Sequence, residues 1–243
     1  MQLIRAAAIA ALFALLLPAA AVAQDLGGLG DAAGLTGGLG QNAILLVLAL
    51  TALSLAPGIA IMVTCFPFIV TVLSILRQSL GLQQSPPNML IVSLAIFLTW
   101  FIMDPVLREA WQVAGQPLQD GTITLSQAFE RGIEPFRGFM SGRTEPDTIA
   151  AMAEIAPDPA GAPDRLSVLI PAFMLSEIQR AFEIGFLIAL PFLIIDLVVA
   201  AVLMSMGMMM VPPAIVALPF KLAFFVVVDG WTLLASALVR SYQ

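Results

Sequence analysis

Four long apolar blocks, at about 43–76, 88–107, 184–210 and 214–239, restrict what this chain can become. Their backbone N–H and C=O groups have few polar neighbours, so helices that satisfy them internally are the expected form. Each block approaches or exceeds the roughly 20 residues that cross a bilayer core. Composition removes the soluble alternative. Of 243 residues, 60% are hydrophobic and 11% charged, with a mean hydropathy of +1.00; a water-facing domain carries roughly 25% charged residues. The fold class expected is an all-α membrane-complex protein, and hydropathy alone would place four spans.

Breakers within the blocks shape the helices. Pro57-Gly58 and Pro67 predict a kinked or broken first helix. Arg77 to Asn88 forms a short turn into the second block, and Gly207 to Pro213 turns the third into the fourth. Pro86-Pro87 precedes an apolar run ending at Asp104, and Pro212-Pro213 precedes one ending at Asp229. Two helical hairpins of similar build fit this echo, and so does chance similarity of apolar segments. The resulting division is a first hairpin over 43–107, a polar periplasmic helical region over 108–165, and a second hairpin over 166–243 with a methionine-rich tip.

Residues 1–23 read as a cleaved signal peptide. Arg5 supplies the positive start, Ala6 to Leu17 the apolar stretch, and Ala21-Val22-Ala23 the small-residue site, with cleavage after Ala23. A retained anchor helix is the alternative. Cleavage would place the mature N-terminus outside the cytoplasmic membrane of a bacterium. Residues 24–42, with seven glycines between Gly27 and Gly40, read as a flexible leader. The polar region holds a capping-box candidate, Thr124-Leu125-Ser126-Gln127, and favours short amphipathic helices over strands. The Pro-interrupted stretch 143–164 is expected to be partly mobile.

Residue inventory excludes most catalysis. There is no histidine, Cys65 is the sole cysteine, and the sole lysine, Lys221, follows Phe220, so no phosphate-loop motif exists. An enzyme, a metal site or a cofactor is not expected. The net charge of −6 without a basic tract argues against nucleic acid.

Three constellations remain. Glu177, Arg180 and Glu183 are spaced i,i+3 and can bridge along one helical face, either as a solvated network or at a subunit contact. Asp196, Lys221 and Asp229 lie within the third and fourth apolar blocks, where a lone carboxylate costs on the order of 2.5–3.5 kcal/mol. Ionic pairing, within or between subunits, or a proton relay would each account for them. Lastly, Met208, Met209 and Met210 would point about 100° apart on a helix and cannot share one face. Gly207 loosens the backbone before them, and Pro212 and Pro213 stop helix continuation, so a loop at a hairpin tip is expected. Such methionines can be adaptable apolar filler. Around a symmetry axis they can form a hydrophobic constriction.

The stretches "GMMMVPP", "ALPFKLAFFVVVDGW", "PFLIIDLVVAAVLMSMG", "SPPNMLIVSLAIFLTWFIMDP" and "LIPAFMLSEIQRAFEIGF" together resemble the FliP family of type III secretion export gates. The resemblance covers nearly the whole chain from about residue 43. It implies five copies assembled with FliQ and one FliR into a helical, cone-shaped oligomer of kinked hairpins around a central channel, working with FlhA and FlhB. The gate would pass unfolded flagellar substrates at the bacterial inner membrane, in the flagellar basal body. Much of the chain would lie on the periplasmic side, with its hairpins largely above the bilayer plane and buried against neighbours. By the same resemblance Met208, Met209 and Met210 form a pore gasket, and Glu177 and Lys221 lie at subunit contacts. A virulence-injectisome counterpart is the nearest alternative, and a small-solute permease a more distant one.

Overall fold

A computed structural model describes residues 39–81, 86–157, 165–208 and 210–242. The signal-peptide segment with its expected cleavage after Ala23, the leader up to residue 38, and Met209 lie outside the described residues. Every regular element among the described residues is helical. In chain order these are α1 (Leu39–Met62), α2 (Phe66–Ser79) and α3 (Asn88–Ala110), a π-helical turn (Trp111–Gly115), α4 (Gln116–Gln119), α5 (Leu125–Arg143), α6 (Pro146–Glu154), α7 (Leu166–Ser205), α8 (Pro213–Val227) and α9 (Gly230–Arg240). The chain falls into two units, Met1–Ala56 and Pro57–Gln243, and α1 has residues in both. In the first unit, α1 is exposed at Leu46, Leu48 and Leu50. The second unit holds the core and all the other helices.

The first apolar block is broken, as expected, between its two proline sites. Pro57-Gly58 is carried inside α1, and the helix ends at Met62. A three-residue break follows, and α2 starts with Pro67 in its first turn, where the missing N–H would have had no partner anyway. From there the chain enters the core: Phe68, Ile69, Val72, Leu73 and Leu76 of α2 are all buried. These positions recur at helical spacing and make α2 the centre of the unit, packed most extensively on α7 and also on α3. Each such side chain contributes about 1.5–3 kcal/mol when fully buried. At the end of α2, Arg77 Nη1 donates to Asn88 Oδ1, tying the turn to the start of α3.

Close approach of α2 and α7 depends on Gly185. A Cβ there would lie 2.4 Å from Ile75 Cδ1 and 3.1 Å from its Cγ2. Without a side chain, the α7 backbone sits directly against Ile75.

The polar region is helical, as its pattern predicts. Thr124 caps α5 with a complete capping box: Gln127 N–H donates to Thr124 Oγ1 at 3.4 Å, and Thr124 N–H donates to Gln127 Oε1 at 3.0 Å. Part of the stretch expected to be mobile is ordered as α6, with Pro146 in its first turn. The α5–α6 junction is pinned to α7 by the Glu145 N–H, which donates to Ser176 Oγ at 3.2 Å. Met140, Leu169 and Phe173 form a small second core beneath α5 and α6.

One expectation about the last blocks changes. α7 runs unbroken for 40 residues through Glu177, Arg180 and Glu183, with Pro171 and Pro191 inside it. The fourth block is not one helix: α8 and α9 meet at a 62° bend. No proline marks that bend. Asp229, at φ 49° and ψ 52°, makes it by adopting the left-handed conformation that short polar side chains tolerate. Among the described residues, two helical stretches, Asn88–Gln119 and Leu166–Ser205, are long and apolar enough to cross a membrane, or three counting the bent α8–α9 pair.

Candidate functional site: two charge networks and a methionine tip

Glu177 is fully buried on α7, where an unpaired carboxylate would be untenable. Three groups converge on it. Arg143, the last residue of α5, donates through Nε to Glu177 Oε1 at 3.2 Å. The Tyr242 hydroxyl donates to Oε2. Arg180, one turn along α7, sits 3.7 Å from Oε1. The Arg143 guanidinium also donates through Nη1 to the Ser241 carbonyl at 2.7 Å and lies 4.0 Å over the Tyr242 ring. That ring stacks on Phe139 at 6.0 Å and meets Phe68 edge-on at 5.5 Å. Burial, reinforced by the adjacent Glu177 carboxylate, pushes the Tyr242 phenol well above its ordinary pKa, so it stays a proton donor. The network therefore ties α5, α7 and the C-terminal turn to one carboxylate.

A second network forms around Lys221 on α8. Its Nζ donates to Asp196 Oδ2 at 2.6 Å and to the Ser79 carbonyl at 2.9 Å. Ser79 ends α2, so its carbonyl has no partner within the helix, and a cation there also favours the helix dipole. One ammonium thus joins α2, α7 and α8. The lysine side chain is 6% exposed and that of Asp196 37%, so the pair opens toward the surface on the aspartate side.

Glu177 and Lys221 accordingly sit in separate networks, each with partners in its own chain. Arg180 joins the first. Glu183 is exposed and accepts from Gln179 Nε2 at 3.2 Å, and Asp229 is exposed at the α8–α9 bend. Sequence reasoning missed Arg143, Ser241 and Tyr242. The available signal was that Tyr242 is the chain's single tyrosine.

The methionine turn has a defined geometry. Gly207 takes φ 76°, its N–H donates to the Met204 carbonyl at 3.1 Å, and the Met208 N–H donates to the Leu203 carbonyl at 3.0 Å. This pair of bonds is the Schellman stop of a helix, which requires a left-handed residue where Gly207 stands. Pro212 then caps α8 and Pro213 opens it. Between the two helices Met208 is 43% exposed and Met210 is 97% exposed. Among the described residues, no group of three or more His, Cys, Asp or Glu converges as a metal site would require.

Outside these networks the apolar helices present themselves outward. Only 17% and 11% of the most apolar stretches of Asn88–Gln119 and Leu166–Ser205 are buried within the chain. Long apolar helices with outward-facing side chains, and charges neutralised between helices, define a helical membrane protein. More particularly, the chain belongs to the FliP family, whose profile matches residues 49–238. It is 49% identical over 240 residues to the flagellar biosynthetic protein FliP of Caulobacter vibrioides, covering 97% of this chain and 89% of that protein. The proteins of the same name from Agrobacterium fabrum and Bacillus subtilis are 50% identical over 199 residues and 48% over 205. Those alignments cover 80% and 83% of this chain, and 81% and 93% of the respective relatives.

Proposed function

We propose that this chain is a channel-forming subunit of the flagellar type III export gate, built from several copies together with FliQ and FliR. Family membership makes the chain a component of flagellar biosynthesis and export, and not an enzyme. The flagellar name of the relatives favours this reading over an injectisome counterpart or a solute permease.

The observation that carries the channel reading is the methionine tip. Its backbone is stopped by Gly207 and restarted by Pro212-Pro213, which leaves Met210 almost wholly exposed. An apolar side chain held out on a turn is costly in water and useful where several copies meet. Five such tips around an axis would bring Met208, Met209 and Met210 to one level. Thioether side chains are flexible and polarisable, so the ring would close against ions and deform around an unfolded polypeptide. Glu183 and Asp229 are exposed charges suited to contact neighbouring subunits, whereas Glu177, Asp196 and Lys221 would act by holding the hairpin rigid behind the tip. Working with FlhA and FlhB, the gate would sit at the inner membrane with much of the chain on the periplasmic side.

The test is conductance. Replacing Met208, Met209 and Met210 with alanine in the assembled gate is expected to raise ion leak in planar bilayers while leaving assembly intact. Unchanged conductance in a complex of normal mass would refute the seal.

A further inference from the structure

The methionine tip carries a chemistry that an apolar seal does not require. Met204, Met206, Met208 and Met210 all stand exposed around one turn, Met210 almost completely. Met103 and Met140, by contrast, are 1% exposed and belong to the two cores. Oxidation turns a thioether from a flexible apolar group into a polar, chiral sulfoxide, and it needs access to the sulfur. The tip offers that access and the cores do not.

The turn itself does not depend on its thioethers. Main-chain bonds close it, from the Gly207 N–H to the Met204 carbonyl, from the Met208 N–H to the Leu203 carbonyl, and from the Val211 N–H to the Met208 carbonyl at 3.4 Å. Gly207 in the left-handed region and Pro212-Pro213 fix its two ends. Met210 buries almost nothing in the chain, so an added oxygen removes no packing from the fold. Oxidation therefore changes the polarity of the tip and keeps its shape. A hydrophobic constriction excludes ions by excluding water, whereas a sulfoxide oxygen accepts hydrogen bonds and draws water in.

We propose that the tip is a reversible oxidation site: a peroxide converts Met210 and its exposed neighbours to sulfoxides, and the gate loses its seal. The sulfur lone pair forms an S–O bond to one peroxide oxygen as the O–O bond breaks. The departing hydroxide takes the proton and leaves as water. Sulfur is oxidised by two electrons and the peroxide is reduced by two. Methionine sulfoxide reductases reverse the change with a dithiol, which becomes a disulfide while the oxygen leaves as water. This rests on the channel reading and extends it from a fixed seal to one that an oxidant opens.

The experiment records ion leak through the assembled gate in planar bilayers before and after dilute hydrogen peroxide. Leak is expected to rise about tenfold, which takes only ~1.4 kcal/mol off the barrier to ions. Methionine sulfoxide reductases A and B with dithiothreitol should return it to its starting value. Peptide mass spectrometry of the same sample should find the added oxygen at Met210 and none at Met103 or Met140. A complex carrying Met204→Leu, Met206→Leu, Met208→Leu, Met209→Leu and Met210→Leu has no thioether at the tip, so its leak should not respond to peroxide. A response equal to that of the parent overturns the proposal, because oxidation elsewhere, as at exposed Met62 or Met89, then causes it. An oxidised tip with unchanged leak overturns it too, as does a tip left unoxidised while Met89 is oxidised. The alanine complex separates the two readings. If alanine raises the leak and peroxide does not, the seal stands and the oxidation site falls; if neither does, both fall.

Discussion

Removing the Arg143 guanidinium should be among the most damaging single changes in this chain. Glu177 has no exposed surface, and Arg143 is its nearest cation, 3.2 Å away. Arg143→Met would leave the carboxylate with the Tyr242 hydroxyl and with Arg180 at 3.7 Å. It would also strip the Ser241 carbonyl of its donor and the Tyr242 ring of its cation. Breaking one side of a buried pair costs about 3–5 kcal/mol, because the remaining charge is stranded. A folded unit of this size loses about 2–4 °C per kcal/mol, so the midpoint of thermal unfolding should fall by about 6–20 °C. The same logic makes the opposite prediction for the whole network. With Arg143→Met, Glu177→Leu and Tyr242→Phe combined, no buried charge or hydroxyl is left unpaired, and side-chain volume is roughly kept. The triple variant should unfold within about 5 °C of the parent, since a buried ion pair is often matched by well-packed apolar groups. Thermal unfolding followed by intrinsic fluorescence in one detergent decides the matter. If Arg143→Met and Glu177→Leu each shift the midpoint by under about 2 °C, or the triple is at least as damaged as their sum, Glu177 is not the buried anchor described here.

Two other perturbations probe the packing behind the tip. Lys221→Met should lower stability by about 2–3 kcal/mol, leaving Asp196 and the Ser79 carbonyl without their cation, and adding Asp196→Leu should recover most of it. Gly185→Ala should cost about 1–3 kcal/mol by pressing a methyl group onto Ile75, and Ile75→Val, which removes the Cδ1 atom 2.4 Å away, should relieve much of that in the double variant. Both are measured by the same unfolding assay.

Much of the fold was legible in the chain because its signals are local. The capping box at Thr124 is formed by residues three apart, and the turn at Gly207 to Pro213 is dictated by one glycine and two prolines. The failures share a physical cause as well. Pro57-Gly58 inside an apolar run reads as a kink or break, yet Pro57 lies within a helix. The bend at Asp229, by contrast, carries no proline and rests on a left-handed aspartate. Arg143 and Tyr242 escaped notice because their partner Glu177 is 34 and 65 residues away. No spacing rule reaches that far.

Composition and the placing of glycine and proline by themselves pointed to a helical membrane protein, to chemistry that is not catalytic, and to a turn between the last two apolar blocks. Those conclusions depend on how each segment meets water or lipid, which a segment carries in its own residues. Tertiary structure alone decided which charges neutralise which. Glu177 and Arg180 look like a helical surface pair in sequence, and Lys221 and Asp196 look like two stray intramembrane charges. Packing α2, α5, α7, α8 and the C-terminal turn together makes them the fixed points behind the tip, because a buried charge must find its partner wherever in the chain that partner lies.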